Sequence, residues 1–309
     1  MNRKSWLALL AVAAAASPGL ARAQAGATMR LGAGLGDTLS EPYFAQASGA
    51  LARAGLTVDI STFASGGPML QACAGGAIDI GLADVIQITN AINAGIPFAV
   101  FAASALYTSS APTTALVTSK DGPIRTAKDF EGQSIALNSL HSLPEISTRE
   151  WLRQNGADPT QTKFVEMTGS GMIESIVRGA IAGGVPGEPH LSVDKDRLRV
   201  LGKPYDVVAK TFPLTLFYAR RDWLSANADA VSRLRKAVYE TARWANAHHD
   251  ETALIVEKTA KMEPAVVNGM TRARFATTLD PRTLQPIIDI ATAYKAVRQP
   301  IPAESLIVT

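Results

Sequence analysis

The 309-residue chain has one cysteine, Cys73, and only four histidines. A single thiol excludes an internal disulfide, so the core must come from burial of apolar surface. Cys73 sits in an apolar helical stretch and reads as a small core residue. His141, His190, His248 and His249 show no metal-ligand spacing. His248 and His249 are neighbours, so they point to different sides of a helix and cannot share a metal as an i, i+4 pair does. No G-x-S-x-G elbow is present, since Gly169-Ser170-Gly171 lacks the surrounding pattern. Gly32-Ala33-Gly34-Leu35-Gly36 lacks dinucleotide-loop spacing and reads as a turn. These absences leave no catalytic residue, metal or cofactor to expect.

Apolar runs long enough to cross a bilayer are missing too. Trp6 to Ala16 is short of the roughly 20 residues a span needs. It follows Arg3-Lys4 and gives way to Pro18-Gly19 and Ala21-Arg22-Ala23. A basic start, a short apolar centre and an A-x-A exit predict a secretory signal peptide over residues 1–23. A buried N-terminal helix is the alternative, but the Pro-Gly break before A-R-A fits cleavage better. No cysteine follows for lipid anchoring, so the expectation is a soluble periplasmic protein beginning near Gln24. Removing Arg3, Lys4 and Arg22 turns a formal charge of +3 into neutrality, with 27 acidic side chains against the remaining bases. No basic field is left to attract nucleic acid.

Residues 24–309 exceed the length at which single cores split, which predicts two lobes. From Met29 to Tyr107, short strands alternate with helices. Strands are predicted at 28–32, 56–60, 78–82 and 97–105, the last apolar enough to be covered on both faces. Helices are predicted at 42–53, 65–74 and 85–94. Such alternation implies a parallel sheet with right-handed crossovers. A second unit follows, with strands at 113–118, 133–137, 162–166 and 197–201. Its helices are predicted at 143–154 and 172–178, with a short one at 127–132. A return strand at 214–219 precedes helices at 228–246, 252–261 and 281–297, which should pack around the first lobe.

Several segments in this order resemble the nitrate/sulfonate/taurine-type solute-binding proteins of ABC importers, a group that includes binders of a thiamine-precursor pyrimidine. They are Gly36-Asp37, Pro42-Tyr43-Phe44-Ala45-Gln46, Gly55-Leu56-Thr57-Val58, Ser65-Gly66-Gly67, Gly76-Ala77-Ile78-Asp79-Ile80-Gly81 and Ala94-Gly95-Ile96-Pro97. Asp129-Phe130-Glu131-Gly132-Gln133 and Glu188-Pro189 continue the match, which covers roughly residues 28 to 220. Gly179-Ala180-Ile181-Ala182-Gly183 departs from it, lacking the aspartate of the family's "G-x-V-D-A". The resemblance implies a class II periplasmic-binding-protein fold. Its α/β lobes would be 24–112 plus 213–309 and 113–212, crossed near 111–118 and 210–218, with a ligand cleft between them. It further implies a monomer that hands a small, anionic organic solute (sulfonate, taurine, nitrate or aromatic carboxylate) to the membrane subunits of a permease. An enzyme acting on a thiamine-precursor pyrimidine on the same fold is the alternative.

Ligands of open α/β sheets bind beyond the carboxyl ends of the strands. Those ends give Gly36, Asp37, Ser65, Gly66, Gly67, Asp84 and Tyr107 in the first lobe, and Asn138, Ser139, His141 and Glu188 in the second. Ser65-Gly66-Gly67-Pro68 reads as a capped helix start or as an anion site built from free backbone N–H groups. Asn138-Ser139 and His141 lie before the helix at 143–154 in the same way. Asp37 and Asp84 read as acceptors for an amine or pyrimidine, or as caps. Tyr107 reads as a stacking partner or as a hinge-core aromatic, and Glu188 rests on the resemblance alone.

Overall fold

The structure, a computed structural model, describes residues 28–167 and 169–308; the signal peptide expected at 1–23 lies outside them. In chain order the strands are β1 (Met29–Gly34), β2 (Val58–Phe63), β3 (Ile80–Ala83), β4 (Phe98–Ala103), β5 (Ala105–Thr108), β6 (Leu116–Ser119) and β7 (Ser134–Leu137). There follow β8 (Lys163–Glu166), β9 (Gly183–Gly184), β10 (Leu198–Gly202), β11 (Thr211–Pro213), β12 (Leu216–Arg220) and β13 (Arg274–Phe275). They form three sheets, ordered β2-β1-β3-β12-β4, β8-β7-β9-β6-β10 and β11-β5-β13.

The two large sheets share one plan. In the first, β1 runs parallel to β2 and β3, while β12 runs antiparallel to β3 and β4. In the second, β7 runs parallel to β8 and β9, while β6 runs antiparallel to β9 and β10. The wholly parallel sheet expected from strand–helix alternation is therefore corrected at one position in each lobe. That position holds the strand arriving from the other lobe, which has no helical crossover to return it to the parallel direction.

The third sheet carries the crossings. β5 leaves the first lobe and β11 returns beside it, with Phe212 opposite Tyr107. The stretch predicted as one strand over 97–105 breaks at Ser104, whose N–H is bonded to the Thr215 carbonyl at 2.9 Å. Before that break β4 is buried along its whole length, as expected of a strand covered on both faces. The helix predicted over 42–53 is two, Glu41–Ala47 and Ala50–Arg53, because Gly49 takes a left-handed φ of 75° that helix continuation does not allow.

Period-two alternation organises the second lobe. Leu116, Ile135 and Leu137 pack on one face of its sheet, and Val117 and Ala136 on the other. The first lobe's apolar core extends through Tyr107, Tyr205, Phe212 and Leu214 of the crossings to Leu143 and Ile146 of the second-lobe helix Leu143–Gln154. Helix Ala228–Ala247 buries Val231, Leu234, Val238, Ala242 and Ala245, one face at helical spacing, against the first lobe. No helix among the described residues is long and apolar enough to cross a membrane.

One polar side chain sits badly in this core. Glu41 is 0% exposed and its carboxyl oxygens lack hydrogen-bond partners; the polar group beside it, the Ser104 hydroxyl, is unpartnered too. Burial pushes the Glu41 carboxyl up to about 8. The folded state therefore holds a proton that the unfolded chain has released, and stability falls as pH rises through the interval up to about 8. Each pH unit inside it costs at most about 1.4 kcal/mol. Glu41→Gln is expected to flatten this slope, so that its melting temperature gains on wild type between pH 5 and pH 8. Calorimetric melts across that range check the expectation, and parallel curves would contradict it.

Candidate functional site

The carboxyl ends of strands from both large sheets face one cavity of about 360 Å³. Leu35, Gly36 and Asp37 follow β1, Ala64 and Ser65 follow β2, and Asn138 follows β7. Gly169 lies just past β8, and Val185 to Pro189 follow β9, where the Glu188–Pro189 bond is cis. The outgoing crossing adds Thr113 and Thr114, and the returning one adds Tyr205 and Leu214. This is where open α/β sheets present loops to ligands, at a volume suited to a small molecule.

Of the residues expected at the site, Gly36, Asp37, Ser65, Asn138 and Glu188 line the cavity, while Gly66, Gly67, Asp84, Tyr107, Ser139 and His141 do not. Each displacement has a cause. A Cβ on Gly66 would stand 2.8 Å from Gln87 Oε1 and 3.1 Å from the Ala83 Cα, so this glycine lets its helix start press on the end of β3. Gly67 follows it in helix Gly66–Ala74, one step further from the cavity wall that Ser65 joins. Tyr107 is 1% exposed and donates to Asp206 Oδ1 at 2.7 Å; it meets Tyr205 edge-on and Phe212 at a tilt, as a core aromatic of the crossings. His141 is exposed, and its N–H donates to Glu145 Oε2 at 2.8 Å.

Asp84 joins the lobes. Its carboxylate caps helix Val85–Asn93 by accepting from the Gln87 N–H at 2.9 Å. The same carboxylate lies close to the N–H of Leu143, the first residue of the second-lobe helix. Loss of solvation pushes the carboxyl up to about 6 in spite of these donors. One anion thus serves two helix starts, where free N–H groups and the helix dipole both favour negative charge. Beside it, Gln87 Nε2 reaches Ser139 Oγ at 3.4 Å across the lobes. On another part of the interface, the Tyr294 hydroxyl donates to Glu150 Oε2 at 2.7 Å.

The carboxylates in the cavity wall are held internally. Asp37 is 4% exposed; Arg272 grips it with Nε at 3.0 Å and Nη2 at 2.9 Å, and the Ala273 N–H adds a bond at 2.6 Å. Glu188 accepts from the Ser192 hydroxyl at 2.8 Å, the Ser192 N–H at 3.1 Å and the Thr271 N–H at 3.1 Å. Asp37 and Glu188 are therefore supports of the wall rather than acceptors waiting for a ligand. Sequence reasoning missed Arg272, 235 positions from its partner, and no local pattern marks it. It also missed Tyr205, His190 and Thr113; a Tyr just ahead of the return crossing was the one signal available.

Among the described residues, no three His, Cys, Asp or Glu side chains are grouped to hold a metal. Cys73 is 1% exposed, its thiol points at the Asp79 carbonyl at 3.3 Å, and burial pushes it up to about 12. A thiol so placed is not a nucleophile.

Two α/β lobes, each with one antiparallel strand that enters its sheet straight from a crossing, and a cleft at the strand ends define a class II periplasmic-binding-protein fold. Residues 39–252 match the family model described as NMT1/THI5 like, and the chain belongs to that family. No curated protein matches the sequence. Among solved structures, it is similar to the alkanesulfonate-binding protein SsuA from Xanthomonas axonopodis pv. citri bound to MOPS, at 16% identity and a TM-score of 0.75, over 91% of this chain and 98% of that one. The periplasmic nitrate-binding protein NrtA from Synechocystis PCC 6803 is similar at 16% identity and a TM-score of 0.72, over 90% and 84%. The desulfurization enzyme DSZB is similar at 12% identity and a TM-score of 0.66, over 91% and 96%. At these identities the likeness is one of fold, on which both binding proteins and an enzyme are built.

Removing one member of the Asp37–Arg272 pair would strand a buried charge, a loss of about 3–5 kcal/mol. Arg272→Met is therefore expected to destabilise by that order in urea unfolding, and Asp37→Leu added to it to restore most of the loss. A double variant as unstable as Arg272→Met alone would mean that the pair does not hold this wall.

Proposed function

We propose that the protein is the solute-binding component of an ABC importer. Exported by the segment 1–23, it captures a small organic solute between lobes formed by 24–112 plus 213–309 and by 113–212. It then delivers that solute, as a monomer, to the membrane subunits of a permease. The observation that carries this reading is the cavity itself: strand ends of both sheets converge on it, beside two adjacent crossings. Proteins of the same fold named for binding alkanesulfonate and nitrate support it.

The enzyme alternative draws on histidine and cysteine chemistry, and Cys73 does not line the cleft. The anionic cargo expected from the sequence keeps a candidate contact in the helix start at Ser65, which lines the cavity and has no side-chain cap.

A ligand present at a thousandfold excess over its dissociation constant should stabilise the protein by about 4 kcal/mol. Thermal-shift screening with sulfonates, taurine, nitrate, aromatic carboxylates and pyrimidines is expected to find one, and Tyr205→Ala to weaken it at least tenfold. Turnover of any of these compounds without a shift in the melt would overturn the reading.

A further inference from the structure

The lobes also meet away from the cavity, and there the contact is of a different kind. In helix Leu143–Gln154 of the second lobe, Leu143 and Ile146 belong to the apolar core that continues from the first lobe through the crossings. One turn further on, Glu150 meets the first lobe through a hydrogen bond from the Tyr294 hydroxyl at 2.7 Å. Beside that bond runs a groove of about 550 Å³, with Glu150, Arg153 and Pro159 on one side and Asp289, Ile290 and Ala293 on the other. Neither Glu150 nor Tyr294 lines the ligand cavity. Packed apolar surface separates only at the cost of exposing its area, whereas a hydrogen bond at the edge of a groove exchanges its partner for water.

Both ends of the bond are prepared. Glu150 accepts from Arg153 Nε at 2.8 Å and Nη2 at 2.6 Å and from Gln154 Nε2 at 2.8 Å, all on its own helix. Arg153 above all holds the carboxyl down to about 2, so Tyr294 donates to an ionised acceptor, the stronger class of hydrogen bond. Tyr294 is the residue that ends helix Gln285–Ala293, and burial pushes its hydroxyl up to about 12, so it keeps the proton it donates. A second tie joins the lobes elsewhere: Glu188 Oε1 accepts from the Thr271 N–H at 3.1 Å. Helices His190–Val193 and Pro264–Gly269 meet there, whereas Leu143–Gln154 meets Gln285–Ala293 at the first tie. The two ties thus belong to different pairs of helices, and each pair has one member from each lobe.

We propose that the Glu150–Tyr294 hydrogen bond is an interlobe latch, which together with the Glu188–Thr271 tie holds the two lobes in register and gives way when they part. The proposal rests on the two-lobed fold and not on the identity of any cargo. Helix Leu143–Gln154 packs on Pro204–Val207, just ahead of the returning crossing, so that its buried residues act as the pivot and Glu150 as the end that swings. Loss of the latch raises the population in which the lobes stand apart, from a position that no solute in the cavity touches. Tyr294 is in this sense a positioning residue.

Tyr294→Phe removes the hydroxyl alone, and amide hydrogen exchange measured by NMR without added solute reads its effect at the other tie. The Thr271 amide is expected to exchange about tenfold faster, equivalent to about 1.4 kcal/mol of lost interlobe interaction, while the amides of β4 keep their wild-type rates. Glu150→Gln, which keeps an uncharged acceptor, is expected to fall between wild type and Tyr294→Phe. Thr271 exchange at the wild-type rate in Tyr294→Phe would overturn the proposal and reduce the bond to a local surface contact. An equal acceleration in β4 would overturn it as well, by tracing the change to overall stability. Neither result would bear on whether the cavity takes a solute.

Discussion

The first strand that the chain makes after each crossing is built into the interior of the large sheet it enters. β6 lies between β9 and β10, and β12 between β3 and β4. Such a strand has hydrogen-bonding neighbours on both sides, so removing it would leave two rows of buried backbone groups without partners. These two strands fix where the lobes meet, because the crossings that lead to them run side by side as β5 and β11. They thereby fix that the strand ends of both sheets open on a common space. The cavity, the core that runs through Tyr107 and Phe212, and the contacts across the cleft all follow from this requirement.

Given that frame, the residues around the cleft divide by task. Asp37, Arg272 and Glu188 hold loops in place; Asp84 and Tyr294 connect one lobe to the other. The polar side chains left over include Ser65, Asn138, His190 and Tyr205. The charged residues around the cleft thus serve construction. A carboxylate at a strand end is consequently poor evidence of ligand contact, since a buried charge must find a partner and usually finds one within the fold.

That division explains what could be read in the sequence. The helices expected at 143–154 and 228–246 were legible because apolar spacing and terminal residues agreed, and the large-sheet strands other than β9 because Gly and Pro bracket them. β11 and β13, of three and two residues, carry no pattern of their own and exist through pairing with β5. At the cleft, chain order indicated which turns face inward, hence Gly36, Ser65 and Asn138. It gave no view of Arg272 reaching Asp37, nor of Asp84 reaching Leu143, because those partners are set by tertiary approach across 235 and 59 positions. Tyr107 and Tyr205 show the same limit: two tyrosines of the crossings in edge-to-face contact, one in the core and the other at the cavity.

The pairing of β5 with β11 carries one more consequence. Two connections hydrogen-bonded side by side form a ribbon, easily flexed across its thin dimension and stiff against shear within its plane. Independent linkers would let the halves swivel in any direction. A ribbon reduces their relative movement to rotation about one axis, so that every opening returns the same two walls to register.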